Sequence, residues 1–377
     1  MQSTVKKIEV NYNPINEQNT FTNGDVVCGE VRLEVAKTCE VDFLYIKFKG
    51  KAEVLWTERH GNTTHTYHSK DKYFSVRQYF VQDKNLKHGK QIQLTNQSSE
   101  TYSNVLPPGI HVYRFSFQFP HQNIPPSFKG AHGKIVYLLE ARLSRSLRMD
   151  KTESTKLSFV PRPDLSPASG VMTPQHESKD KKMNIFTSGT VAMDVQLEKS
   201  GFCQGEQLKV LAFIKNDSSR EIKPKYCIYT KHSFFARGKR RLHCKDLIKE
   251  VGAPIAPCTS QNVTQVITIP REMEPSIMNC SIIKVEYRLR VYLDVKYASD
   301  PEIKFNIFIL PAFGVPAAAS APPAAAGFGY EPFGNLTPPV WGVSSPPPPF
   351  APQPSDPPPP YGAYGMYPPL NDFNNTF

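Results

Sequence analysis

Pro358, Pro359, Pro360 and Tyr361 form a Pro-Pro-x-Tyr motif close to the C-terminus. Consecutive prolines set a polyproline II helix in advance, so little chain entropy remains to be lost on docking. Two prolines can fill an aromatic groove while Tyr361 enters a neighbouring pocket and offers its hydroxyl, which is how WW domains read Pro-rich peptides. Such chemistry is recognition, not catalysis. A second run, Tyr367-Pro-Pro-Leu-Asn371, carries Asn371 where the tyrosine is needed. A single strong site implies that avidity must come from another contact or from self-association.

The other charged constellation is Arg237-Gly-Lys-Arg-Arg241, inside the longer basic run 231–245. A glycine within four cations reads as a hairpin tip. Arg237, Lys239, Arg240 and Arg241 would then face anionic lipid head groups or an acidic or phosphorylated tail, each cation being worth about 1 kcal/mol near a lipid surface. A solvated loop is the alternative. A nucleic-acid patch has the same composition, but no zinc ligands, recognition helix or stacking aromatics accompany it, so no nucleic-acid partner is expected. His60, His65 and His68 with Glu58 have ligand chemistry, but their spacing suits no single face and Gly61-Asn62-Thr63 marks a loop. No metal and no cofactor is expected. The sequence holds no P-loop, G-x-S-x-G, H-E-x-x-H or paired-carboxylate pattern, which points away from an enzyme.

The elements that position these residues read as strands. Val285, Tyr287, Leu289, Val291, Leu293 and Val295 alternate with Glu286, Arg288, Arg290, Tyr292 and Asp294, the period of a strand with one face in a core. The alternation recurs in Val27 to Val35, Tyr113 to Phe119, Val191 to Leu197 and Ile303 to Ile309. One short helix is expected near 246–251. Many short strands split by Gly, Pro and Asn argue an all-β sandwich.

Composition divides the chain again. Of 35 prolines, 19 fall in 311–377, a stretch with no Lys or Arg and only Glu331, Asp356 and Asp372 as acids. The net charge of +11 thus separates into +14 on 1–310 and −3 beyond. A segment so poor in buriable surface is expected to stay extended and disordered. As a coil, the 46-residue step from Pro311 to Pro357 would average about 35–40 Å end to end, and as a polyproline rod about 140 Å. No run of about 18 apolar residues exists. The N-terminus lacks a signal-peptide core. The seven cysteines form no C-x-x-C pair and read as reduced thiols of a cytosolic protein.

The body also repeats. A shift of 181 superposes Val10 on Val191, Phe21 on Phe202, Gly24 on Gly205 and Asp25 on Glu206. A shift of 150 superposes Pro120 on Pro270, Pro125 on Pro275 and Tyr137 on Tyr287. The expected layout is a sandwich over 1–150, a linker over 151–186, a second sandwich over 187–310 and the tail from 311. The first half carries about 31 extra residues, expected within 56–105.

Pro107-Pro-Gly-Ile-His-Val-Tyr-Arg-Phe-Ser-Phe-Gln-Phe-Pro120 resembles the PPGxHxYPFxFxLP signature of arrestins. Phe128-Lys-Gly130 and Gly133 to Ala141 follow as they do in that family, and 188–191, 201–205 and 285–293 resemble landmarks of its second domain. With its Pro-rich tail, the chain is similar to the alpha-arrestin branch. That resemblance implies two tandem immunoglobulin-like β-sandwiches. It also implies an adaptor that joins cytoplasmic tails of membrane receptors or transporters to WW-domain HECT-type ubiquitin ligases and promotes endocytosis and endosomal sorting. Such a protein would be cytoplasmic and recruited to plasma membrane and endosomes. Basic residues near the first strand help hold anionic groups in that family, which makes Lys6 and Lys7, placed just before that strand, further candidates for anion or membrane contact. Rival readings are a retromer-like trafficking scaffold that recruits no ligase and a secreted immunoglobulin-type sandwich.

Overall fold

A computed structural model describes residues 4–81, 92–93, 102–182, 189–295 and 299–312. The Pro358–Tyr361 motif and the tail around it lie outside the described residues. Within them the chain is all-β, with one short 3-10 turn at Pro167–Ser169. Lys239–Val251 is a strand, so the helix expected near 246–251 does not form. It pairs with the preceding strand from Lys225↔Val251 to Ala236↔Lys239, with one bulge at Leu247, an arrangement a local helix signal cannot outweigh.

The first sandwich is built from β1 (Val5–Tyr12), β2 (Thr20–Phe21), β3 (Val26–Val35), β4 (Cys39–Glu40), β5 (Phe43–His60), β6 (Thr63–Val81), β7 (Ile92–Gln93), β8 (Val105–Leu106), β9 (Gly109–Gln118), β10 (Phe128–Lys129), β11 (Gly133–Ser144) and β12 (Lys151–Phe159). One sheet runs β1-β3-β9. The larger runs β2-β12-β11-β5-β6-β7, with β10 hairpinned onto β11 and β4 paired with β8. The second sandwich comprises β13 (Gln175–Lys182), β14 (Thr190–Leu197), β15 (Gly201–Cys203), β16 (Gln207–Asn216), β17 (Lys223–Ala236), β18 (Lys239–Val251), β19 (Thr259–Thr268), β20 (Ile283–Asp294) and β21 (Glu302–Leu310). Its sheets run β13-β14-β16-β19 and β15-β21-β20-β17-β18.

Alternation decides which face is buried. In β20 Val285, Tyr287, Leu289, Val291 and Leu293 are all buried, and the residues between them are half-exposed. Burying one such side chain is worth about 1.5–3 kcal/mol. Phe119, just after β9, plugs the first core. Its ring centroid lies 4.9 Å from Phe48, 4.8 Å from Phe159 and 5.7 Å from Tyr137, all on the opposite sheet.

The two sandwiches share more than a strand order. The Thr22 N–H donates to the Asp25 carboxylate at 2.7 Å, and the Cys203 N–H donates to Glu206 at the same distance. Gly24 and Gly205 turn with φ of 81° and 86°. Tyr137 donates its hydroxyl to the Pro125 carbonyl at 2.5 Å, and Tyr287 donates to the Glu274 carbonyl at 2.7 Å. Ser127 and Ser276 accept from the N–H of Phe159 and Ile309 at 3.0 and 2.9 Å. The hydrogen bonds therefore equate Pro125 with Glu274, one residue away from the expected match with Pro275. Part of the first half's extra length is in its hairpin, where β5 and β6 have 18 and 19 residues against 14 and 13 in β17 and β18.

The linker is shorter than the expected 151–186. Residues 151–159 are β12, paired with β11 and β2. Residues 175–182 are β13, paired along its whole length with β14. The connection proper is 160–174. Lys6 and Lys7 also lie inside β1 rather than before it.

Candidate functional site

The basic run is a hairpin tip. Arg237 and Gly238 form the two-residue turn between β17 and β18, with φ of 49° and 72°, the left-handed pair that matches the twist of a tight hairpin. Gly238 would meet nothing if it carried a Cβ, so it serves the backbone alone. Arg237 takes the same conformation at a cost of roughly 1 kcal/mol.

The four cations do not act alike. Arg237 and Lys239 are exposed and have no ion-pair or hydrogen-bond partner among the described residues. Arg240 is docked on its own hairpin, donating from Nε and Nη2 to Ser233 Oγ at 3.1 and 2.7 Å, with its guanidinium 5.8 Å from the Phe235 ring centre. Arg241 reaches into the other sandwich and pairs with Glu58 at 3.4 Å. Glu58 also accepts from Trp56 Nε1 at 3.2 Å. Lys6 and Lys7 belong to the first sandwich, where they pair with Glu34 at 3.0 Å and Glu9 at 2.6 Å. Those pairs are exposed and worth little, but they leave Lys6 and Lys7 partly neutralised and outside the hairpin cluster.

Arg241 marks the joint between the sandwiches. At its centre Phe234, fully buried on β17, packs against the β10–β11 turn. A Cβ on Gly130 or Gly133 would come within 2.9 Å of the Phe234 ring, so glycine is what permits the approach. The His132 ring stands perpendicular to Phe234 at 5.6 Å and Phe128 packs edge-on to His232 at 5.4 Å. Polar contacts surround this apolar centre. Tyr73 donates to Cys280 Sγ at 3.2 Å, Ser281 to Asp71 at 2.7 Å and Asn279 to the Asn123 side chain at 2.8 Å.

Burial sets the electrostatics of the joint. It pushes the His232 imidazole below its ordinary value, helped by His243. His132 moves the same way, through burial first and then through Arg241 and His243. Burial raises the Glu274 carboxyl, whose Oε2 lies 3.7 Å from His232 Nε2, too far for a hydrogen bond. The His232 nitrogen is buried without one. Between the sandwiches and the 160–174 connection lies a cleft of about 600 Å³, lined in part by Pro126, Pro163, Pro275 and Pro311 with Arg162 and His121.

The histidines near Glu58 do not gather around an ion. His60 and His65 pack ring to ring at 5.4 Å across the β5–β6 tip, and His68 turns to Glu53 at 3.2 Å. No cluster with metal-ligand chemistry occurs among the described residues. Sequence reasoning missed Glu58 as the Arg241 partner, and Phe234 and His232 as the joint. Only the Gly130 and Gly133 landmarks hinted at a close approach there.

Residues 8–166 match the N-terminal domain of arrestin (or S-antigen), and residues 187–312 match its C-terminal domain. Mouse and human arrestin domain-containing protein 4 are each 28% identical to this chain, over 278 and 292 residues, which is 73% and 77% of this chain. The chain spans 65% and 68% of their length. Human thioredoxin-interacting protein is 27% identical over 306 residues, 78% of this chain and 72% of its own.

Proposed function

From the premise that the chain belongs to the arrestin family, in its alpha-arrestin branch, we propose that it is a non-enzymatic adaptor joining membrane-protein cargo to a WW-domain HECT-type ubiquitin ligase. The two sandwiches grip the cytoplasmic tail of a receptor or transporter, and Tyr361 with Pro358, Pro359 and Pro360 captures the ligase. Ubiquitin transfer is the partner's chemistry, and this chain supplies proximity. It works in the cytoplasm and is recruited to the plasma membrane and endosomes, where cargo is ubiquitylated, internalised and sorted. Arg237 and Lys239, the unpaired half of the hairpin tip, meet acidic or phosphorylated groups of the cargo tail.

The observation that carries this reading is the separation of parts along the chain. Two arrestin domains joined by a packed apolar centre end at residue 312, and the Pro-Pro-x-Tyr motif stands 46 residues beyond that point, at 358–361. Affinity purification of the full chain and of a Tyr361→Ala variant tests it. The variant should lose the ligase and keep cargo and thermal stability. Undiminished ligase capture would overturn the role of Tyr361. Membrane recruitment and sorting that survive removal of 311–377 would favour a retromer-like scaffold.

A further inference from the structure

The outward face of the large sheet in the first sandwich carries an unusual arrangement of charge. Lys47, Lys49, Lys51 and Glu53 point outward at alternate positions of β5. Residues directly opposite in register share a face, so the neighbouring strands extend this column into rows. Arg77 and Glu140 flank Lys47. Lys49 is followed across β11 by Leu138 and then by Lys156. Lys72 stands opposite Lys51, and Lys70 and Lys134 flank Glu53. These rows thus gather eight cations and two carboxylates.

Two of the opposed pairs, Lys47 with Arg77 and Lys51 with Lys72, are of like charge. Like charges directly opposite on a sheet are destabilising. The carboxylates relieve only part of this. Glu140 pairs with Lys49 at 2.5 Å and Glu53 with Lys51 at 2.7 Å. Arg77 rests on the Tyr45 ring at 5.1 Å and donates to the Tyr79 hydroxyl at 3.3 Å. Lys47 and Lys72 have no ion-pair or hydrogen-bond partner among the described residues. Lys47 is half-buried, and burial followed by Arg77, Lys49 and Lys72 draws its ammonium below the usual lysine value. A fold gains nothing by holding these cations together unless an anion arrives to neutralise them.

We propose that this sheet face is a docking surface for an anionic lipid bilayer, with Lys47, Lys72 and Arg77 receiving lipid phosphates. The shape of the charge favours a membrane over an acidic peptide. From Lys47 to Glu53 is about 20 Å along the strand, and the four strands span about 14 Å across it. A single extended peptide would cover one strip of such a patch, whereas an array of head groups covers it in both directions. The surface is distinct from the Arg237 tip of the second sandwich. It deepens the adaptor reading, which places the protein at membranes, but binding to vesicles requires neither ligase nor cargo, so the two can fail separately.

The test is sedimentation of the full chain with vesicles of phosphatidylcholine alone and of phosphatidylcholine with phosphatidylserine, at low and high salt. The wild type should sediment with the anionic vesicles in a salt-sensitive way. A Lys47→Gln, Lys72→Gln, Arg77→Gln variant should bind about tenfold or more weakly. An Arg237→Gln, Lys239→Gln variant should retain most of the binding. Without vesicles, Lys47→Gln alone should melt at or above the wild-type temperature, since it relieves repulsion. Unchanged sedimentation of the triple variant would overturn the proposal. So would a lower melting temperature for Lys47→Gln, which would make Lys47 a structural residue. Capture of a polyglutamate peptide by the same three residues, with no vesicle binding, would assign the face to an acidic chain instead and likewise overturn it.

Discussion

Replacing Phe234 with alanine tests whether the two sandwiches behave as one body. The ring is fully buried, with Gly130, Gly133 and His132 of the other sandwich against it. Truncating a buried Phe costs about 3–5 kcal/mol, more where the site cannot collapse. Here two of the facing residues are glycines with no side chain to fill the space, so the cost should be near the upper end, about 4 kcal/mol. The remaining contacts across the joint are the Phe128–His232 ring pair, single hydrogen bonds and an exposed ion pair, worth about 0.5–1.5 kcal/mol each. Removing Phe234 therefore takes away a contact larger than any of those around it. Urea unfolding of the full chain, followed by tryptophan fluorescence (Trp56 lies in the first sandwich) and by far-UV circular dichroism, should change from coincident transitions to separated ones. Limited proteolysis should also find the 160–174 connection more readily. Coincident transitions at an unchanged midpoint would refute the argument that Phe234 couples the domains.

Acid should loosen the same joint. The folded chain holds protons on His232 and His132 less tightly than the unfolded chain does. Stability is therefore full above about pH 6.5 and declines as pH falls from there toward the lowered folded values. Glu274, raised by burial, works in the opposite sense, losing stability as pH rises through its folded value. His232→Phe should flatten the decline just below pH 6.5 in melting curves, and a profile unchanged by that variant would remove His232 from the account. Tyr137→Phe and Tyr287→Phe should each cost about 1–3 kcal/mol, because each strands a carbonyl that the hydroxyl satisfied. Their urea midpoints should fall by similar amounts, and a silent substitution at either would break the equivalence of the two sandwiches. Arg241→Gln should raise protease sensitivity at 160–174 without altering vesicle binding, whereas Arg237→Gln with Lys239→Gln should leave that sensitivity unchanged.

Strands with one face in a core were readable because burial writes itself into the side chains. Val285 to Leu293, Tyr113 to Phe119 and Ile303 to Ile309 all bury the expected residues. The tandem repeat was readable for a related reason: a turn acid, Asp25 or Glu206, and a buried tyrosine, Tyr137 or Tyr287, perform the same hydrogen bonding twice. Strands without a buried face were not readable. β18 is exposed along most of its length, and the segment Asp246 to Val251 looks helical until β17 is there to pair with it. β13, Gln-His-Glu-Ser-Lys-Asp-Lys-Lys, has no apolar residue, so composition marked it as linker while β14 recruits it as an edge. The basic tip was legible as a tip. Its division was not, because Glu58 is 183 residues from Arg241 and no local pattern connects them.

The placement of β13 has a practical consequence for dissecting the molecule. A fragment that starts at 187, where the C-terminal family match begins, would strip the outer strand from its sheet and leave the backbone of β14 bare along eight register positions. Such an edge invites pairing with a second copy of itself. Expression of the second half alone should begin upstream of Gln175, and aggregation of the shorter piece would report on the cut rather than on the domain.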